Sequence, residues 1–148
     1  MKKLLKRLKQ DERGLTLVEL LAVIVILGIV GVIAFVAIGN VIENSKKDAH
    51  IANAQQVISA VELEEASGNT LDGSKDASEI DSVGELTDPW DTSNGSYNFK
   101  VGRSATGEDI VISSTQSECS FTNATKSDLI EHGRDACGKT FPITNSEE

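Results

Sequence analysis

Leu20-Leu21-Ala22-Val23-Ile24-Val25-Ile26-Leu27-Gly28-Ile29-Val30-Gly31-Val32-Ile33-Ala34-Phe35-Val36-Ala37-Ile38 contains 19 consecutive residues without a charged or strongly polar side chain. At ~1.5 Å per residue a helix of this length crosses a ~30 Å hydrocarbon core, so the run predicts a membrane segment. Ahead of it stand Lys2, Lys3, Lys6, Arg7, Lys9 and Arg13 against only Asp11 and Glu12. This basic excess predicts a cytoplasmic N-terminus and export of everything beyond the span. Between leader and span lies Arg13-Gly14-Leu15-Thr16-Leu17-Val18-Glu19, which sets one carboxylate at the mouth of an otherwise apolar helix. A charge inside the membrane costs on the order of 2.5–3.5 kcal/mol on insertion scales, less near a helix end, and an opposite charge relieves that cost. The alternative is that Glu19 reaches the cytoplasmic headgroups.

The basic leader, Gly14, an apolar residue, Thr16-Leu17-Val18-Glu19 and the hydrophobic helix resemble the class III signal of type IV prepilins and type II secretion pseudopilins, over roughly residues 13–39. The resemblance implies cleavage after Gly14 by a membrane prepilin peptidase and methylation of the new N-terminus at Leu15. The family usually has phenylalanine there, and leucine is a modest departure for a pocket that takes an apolar side chain. It further implies that Glu19 neutralises the N-terminal ammonium of a neighbouring subunit during filament assembly. Many pilins carry a helix-kinking proline where Val36 stands; this run has none, which leaves Gly28 to Gly31 as the place for bending. A competing signal is Ala37-Ile38-Gly39, a small-x-small triplet at which an ordinary secretory peptidase would release a soluble protein beginning at Asn40. Against it, the apolar run exceeds the ~7–15 residues of a secretory h-region.

Helical patterning continues past the span. No Gly or Pro occurs between Glu43 and Ser67, and Ile51, Ala54, Ile58 and Val61 recur at three- and four-residue steps. That spacing draws one apolar stripe, expected to pack on the chain's own head, whereas residues 17–38 need lipid or other helices. The division expected is a leader over 1–14, a helix over 15–67 whose assembly half is 15–42, and an exported head over 68–148. A helix from Leu15 to Ser67 would be about 80 Å long at 1.5 Å per residue.

The head is expected to hold one small antiparallel sheet, giving an α+β fold. Thr70 to Thr87, rich in Asp, Ser and Gly, reads as an exposed loop with a short helical turn near Ala77 to Ile80. Tyr97, Phe99 and Val101 alternate, and Ile110 and Ile112 follow a turn at Gly102 to Gly107, which predicts a hairpin with one face on the helix and Trp90 capping the core. The Asp88-Pro89-Trp90 element ahead of a tyrosine-bearing strand resembles the head of major pseudopilins of secretion and competence systems, some of which bind calcium in a nearby loop. Asp88, Asp91 and Asp109 are weak calcium candidates, without the spaced acidic loop of an EF-hand, and solvated turn aspartates are the plainer reading.

Cys119 and Cys137 lie in the exported part, where oxidation is permitted. A disulfide is expected, stapling a C-terminal loop that resembles the disulfide-bounded loop of many type IV pilins, with Phe121, Leu129 and Ile130 turned inward. A metal site with His132 is the alternative, lacking a fourth ligand. His50 and His132 otherwise read as surface residues. Asn94-Gly95-Ser96 and Asn123-Ala124-Thr125 fit the N-glycosylation pattern, but the prokaryotic signal argues against modification. There is no nucleophile elbow, glycine-rich phosphate loop or zinc-binding helix motif, so no enzyme is expected.

The full chain carries a formal charge of −9, and without residues 1–14 the remaining 8 basic and 21 acidic side chains give −13. An acidic head repels phosphate, so no direct nucleic-acid binding is expected. The reading is a non-enzymatic subunit, a single-pass membrane precursor that polymerises with copies of itself into a surface filament. The resemblance supplies further partners: the prepilin peptidase, an inner-membrane platform protein, an assembly ATPase and minor pilins. The alternatives are a pseudopilin of a type II secretion or competence DNA-uptake system, and an anchored or secreted adhesin domain.

Overall fold

A computed structural model describes residues 2–91 and 98–142, with side chains from residue 16 onward. The predicted Tyr97 and the Asn94-Gly95-Ser96 pattern fall outside the described residues. The chain divides into two compact units, Met1–Ile42 and Glu43–Glu148.

Helix α1 runs over Lys2–Ala66. Its end has a specific cause: Gly68 turns to φ 95°, a left-handed conformation that glycine adopts without a Cβ penalty. The Gly68 amide then donates to the Glu65 carbonyl and the Asn69 amide to the Glu64 carbonyl, both at 3.0 Å, satisfying carbonyls the finished helix leaves over.

In the first unit every side chain from Thr16 to Ile42 is exposed. In the second, α1 buries the predicted Ile51, Ala54, Ile58 and Val61, and adds His50, Val57 and Ala60. The stripe is thus broader than the sequence spacing drew it, and it packs on a four-stranded antiparallel meander: β1 (Lys75–Asp76), β2 (Phe99–Arg103), β3 (Ile110–Ser114) and β4 (Phe121–Ala124), in that spatial order. The predicted hairpin is β2–β3, with Val101 opposite Ile112 and Gly102 opposite Val111. Gly102 therefore belongs to a strand, and the turn begins later, where Ser104 donates to the Asp109 carbonyl at 2.9 Å. Phe99, Val101 and Ile112 are buried in the core, and Trp90 is half-buried against it.

Two parts of the head depart from expectation. Residues 70–87 are not simply an exposed loop: they contain β1 and 3-10 turns at Ala77–Glu79 and Asp81–Val83. Ala77, Ile80, Val83 and Leu86 are all buried. Ala77 and Val83 lie in the two 3-10 turns, Ile80 is the extended residue between them, and Leu86 follows the left-handed Gly84, so the three-residue spacing comes from successive short turns rather than from one helix.

The disulfide-bounded loop also carries regular structure, namely β4 and helix α2 (Lys126–His132). In β4 the two buried residues, Phe121 and Ala124, are three apart, because three steps on β4 face two on β3, from Ser114 to Ile112. This bulge places Asn123 at φ 57°, where asparagine is among the best tolerated non-glycine residues. Strand periodicity alone could not reveal β4. Beyond its outer edge the chain returns: Thr122 donates to the Lys139 carbonyl at 3.1 Å and Phe141 to the Thr122 carbonyl at 2.9 Å. Thr125 caps α2, accepting from the Asp128 amide at 3.2 Å, while Asp128 Oδ2 accepts from the Thr125 amide at 2.9 Å. Leu129 is buried as predicted, but Ile130 is 66% exposed, on the helix face turned away from the core.

Candidate functional site

Glu19 lies on α1, exposed, flanked by Leu17, Val18, Leu20 and Leu21, each more than half exposed. It is the single charged residue of the sequence from Gly14 to Ile42. Gly14 and Leu15 fall within the bounds of the same helix. The surface beyond Glu19 is apolar on all sides rather than along one stripe, and includes Phe35 at 82% exposure. A helix of this kind is stable in lipid or inside a bundle of other helices, and not in water. Among the described residues it is the one helix long and apolar enough to cross a membrane.

Gly28, Gly31 and Gly39 sharpen this picture. A methyl group built on any of them would meet no heavy atom within 4 Å. Each costs ~1 kcal/mol of helix propensity relative to alanine, and no packing within the chain calls for a missing side chain there. Small residues in a membrane helix permit close approach of another backbone. Charge and shape on this segment therefore both address something outside the chain.

The head supplies a separate cluster around His50, a residue the sequence reading placed at the surface. It is only 3% exposed. Its ring stacks on Phe99 at 4.5 Å between centroids and meets Trp90 and Phe121 edge-on at 5.4 and 6.1 Å. Nε2 lies 2.8 Å from Ser114 Oγ. Burial pushes the imidazole down to about 4, with the Asp88 carboxylate pulling weakly the other way, so the ring is neutral near pH 7. The signal available in sequence was its position: His50 lies four residues before Ala54 and eight before Ile58, on the buried stripe.

Of the calcium candidates, Asp88 is buried and its Oδ1 accepts from the Trp90 amide at 2.8 Å and the Asp91 amide at 3.4 Å, a turn-capping role. Asp109 sits in the β2–β3 turn, where its amide donates to Ser104 Oγ at 3.2 Å. Among the described residues no three His, Cys, Asp or Glu side chains converge as a metal site.

Cys119 and Cys137 form a disulfide with Cα atoms 4.5 Å apart. His132 is not with them as a ligand: Nδ1 bonds the Asp128 carbonyl at 3.1 Å and the ring meets Phe141 edge-on. Three ion pairs join α1 to the rest of the head: Glu62 with Lys126 at 2.6 Å, Asp48 with Arg134 at 3.2 Å, and Glu65 with Arg103.

No curated protein and no solved structure matches the chain significantly. Residues 9–35 match the family described as the prokaryotic N-terminal methylation motif. This is the stretch that holds Gly14, Leu15, Glu19 and most of the exposed apolar helix, and through it the chain carries the prepilin class III signal of type IV pilin-like proteins.

Proposed function

We propose that the protein is a non-enzymatic structural subunit, stored in the membrane as a precursor and polymerised through α1 into a type IV pilus or pilus-like filament. In this reading residues 1–14 are a leader removed by the prepilin peptidase, and Leu15 becomes the methylated N-terminus. Lipid shields the apolar helix before assembly, and copies of the same helix shield it afterwards. Because hydrocarbon is as apolar as leucine, transfer between the two is driven by packing and charge rather than by the hydrophobic effect. Glu19 is where charge enters, since its carboxylate is relieved by the ammonium that cleavage exposes on a neighbouring copy. The contact is heterologous and non-closing, the kind that generates a helical fibre.

The observation that carries the proposal is the lone carboxylate at the start of an exposed apolar helix, inside the matched methylation motif. Two measurements test it. Sequencing of the mature protein should find Leu15 at the N-terminus; Asn40 there would mean simple secretion. Glu19→Ala should leave processing intact and reduce fibre yield at least tenfold, and normal fibres from that variant would remove the role given to the carboxylate.

A second reading, a pseudopilin of a secretion or competence system, is favoured by the Asp88-Pro89-Trp90 turn, where Asp88 caps the backbone that carries the half-buried Trp90. Abundant subunits in sheared surface fibres favour the pilus, and a short cell-bound polymer favours the pseudopilin. The platform protein, assembly ATPase and minor subunits belong to either.

A further inference from the structure

The segment from Thr87 to Asp91 crosses the packed half of α1 and is tied to it at several points. Asn53 Nδ2 donates to the Thr87 carbonyl at 3.0 Å, and Trp90 Nε1 donates to Glu43 Oε2 at 3.4 Å. Between these two ties the Trp90 ring meets His50 edge-on, and the Asp88 carboxylate acts electrostatically on the imidazole. His50 is the one buried residue of this cluster that can gain a positive charge.

We propose that the Thr87–Asp91 segment is an acid-released clasp, with His50 as its trigger and Trp90 as the part that moves. A neutral imidazole shares a hydrogen bond of 2.8 Å with the Ser114 hydroxyl through Nε2 and otherwise packs against aromatic rings. An imidazolium carries two N–H donors and a charge that needs hydration or a carboxylate. The sheet offers it none: β2 presents Phe99, β3 Ser114 and β4 Phe121. On its own helix the charged neighbours within two turns are Glu43, Lys46, Lys47 and Asp48, of which Lys46 and Lys47 repel it, and Glu43 is shared between Lys47 and Trp90. The clasp itself presents Asp88, whose Oδ1 is held by the Trp90 and Asp91 amides. A charged ring draws water and the Asp88 carboxylate toward itself, which weakens its stack on Phe99 and its edge contact with Trp90. The disulfide and the β2–β3–β4 ladder do not depend on this contact, so the sheet stays closed while the clasp opens.

The sign follows from the lowered proton affinity. The fold prefers neutral His50, so clasp stability is complete above about 6.5 and is lost as pH falls from 6.5 to about 4. The chain has one tryptophan and two histidines, which makes the test direct. The mature chain in detergent is titrated from pH 8 to pH 3.5 while Trp90 emission, far-ultraviolet circular dichroism and the two histidine ring protons are followed. Trp90 emission should shift to the red in the same step in which the His50 ring proton titrates, with secondary structure retained. His50→Gln, which keeps a hydrogen bond for Ser114 without a titrating ring, and His50→Phe, which keeps the stack, should abolish that step. An unchanged step in either variant would assign the opening to carboxylates and overturn the proposal. So would a wild-type His50 that protonates without any change at Trp90. Should neither variant fold, the coincidence or separation of the two wild-type signals decides the matter alone.

Discussion

The two halves of α1 belong to one continuous helix and meet opposite fates. Leu17 to Ile42 exposes every large apolar side chain, whereas Ile51, Ala54, Val57, Ile58 and Val61 are buried to 3% exposure or less. What separates them is both total hydrophobicity and its patterning, since residues 16–42 carry a single charge and residues 43–66 carry seven. In the second half charged residues such as Lys46, Asp48, Glu62 and Glu65 interrupt the apolar positions and leave one stripe, which a single sheet can cover. In the first half apolar residues surround the axis, so no one-sided partner suffices. One half stabilises a domain, and the other is left for lipid or for other helices.

That contrast can be broken experimentally, with the largest difference expected in its centre. Ile58→Ala should destabilise the head by about 2–5 kcal/mol, the range for emptying a fully buried aliphatic site. The same change at Ile24 should leave head unfolding unaltered and alter fibre yield instead. Equal losses of head stability from the two variants would end the distinction. Removing the disulfide with Cys119→Ser and Cys137→Ser together should cost about 3 kcal/mol, because the bridge closes a loop with sequence separation 18, and reductant should reproduce the loss in the unaltered protein. Thr125→Ala should cost about 1 kcal/mol through the lost cap of α2, read by denaturant titration. Smallest is Lys126→Ala: the Glu62–Lys126 pair is more than one-third exposed on both sides, so its removal should cost below about 1 kcal/mol and less still in high salt.

The helix stripe, the β2–β3 hairpin and the cysteine pair were legible because each has a local signature: 3.6-residue periodicity, alternation across a glycine-bearing turn, and two thiols in a segment whose basic leader and apolar span predict export. Ile130 was misplaced because two adjacent apolar residues on a helix of about two turns point about 100° apart and do not both meet a flat core, and sequence does not say which will. Leu129 faces it, and Ile130 does not. The buried run Ala77, Ile80, Val83 and Leu86 matches neither the strand period of 2 nor the helix period of 3.6, because it is built from two short 3-10 turns and the extended residues around them. The polar residues between them gave the appearance of a solvated loop. His50 was read by residue type, although its position on the stripe already argued for burial.

The sequence by itself determined the export signal, the membrane-length helix, the placement of Glu19 within it and the half of the helix that would pack, since each depends only on neighbours within a few turns of chain. Tertiary structure alone decided that residues 70–87 would line the core, that a bulge would let Phe121 and Ala124 both face inward, and that His50 would be closed in by Trp90, Phe99 and Phe121. Those outcomes rest on contacts between residues tens of positions apart, and such contacts leave no periodic trace in any one segment.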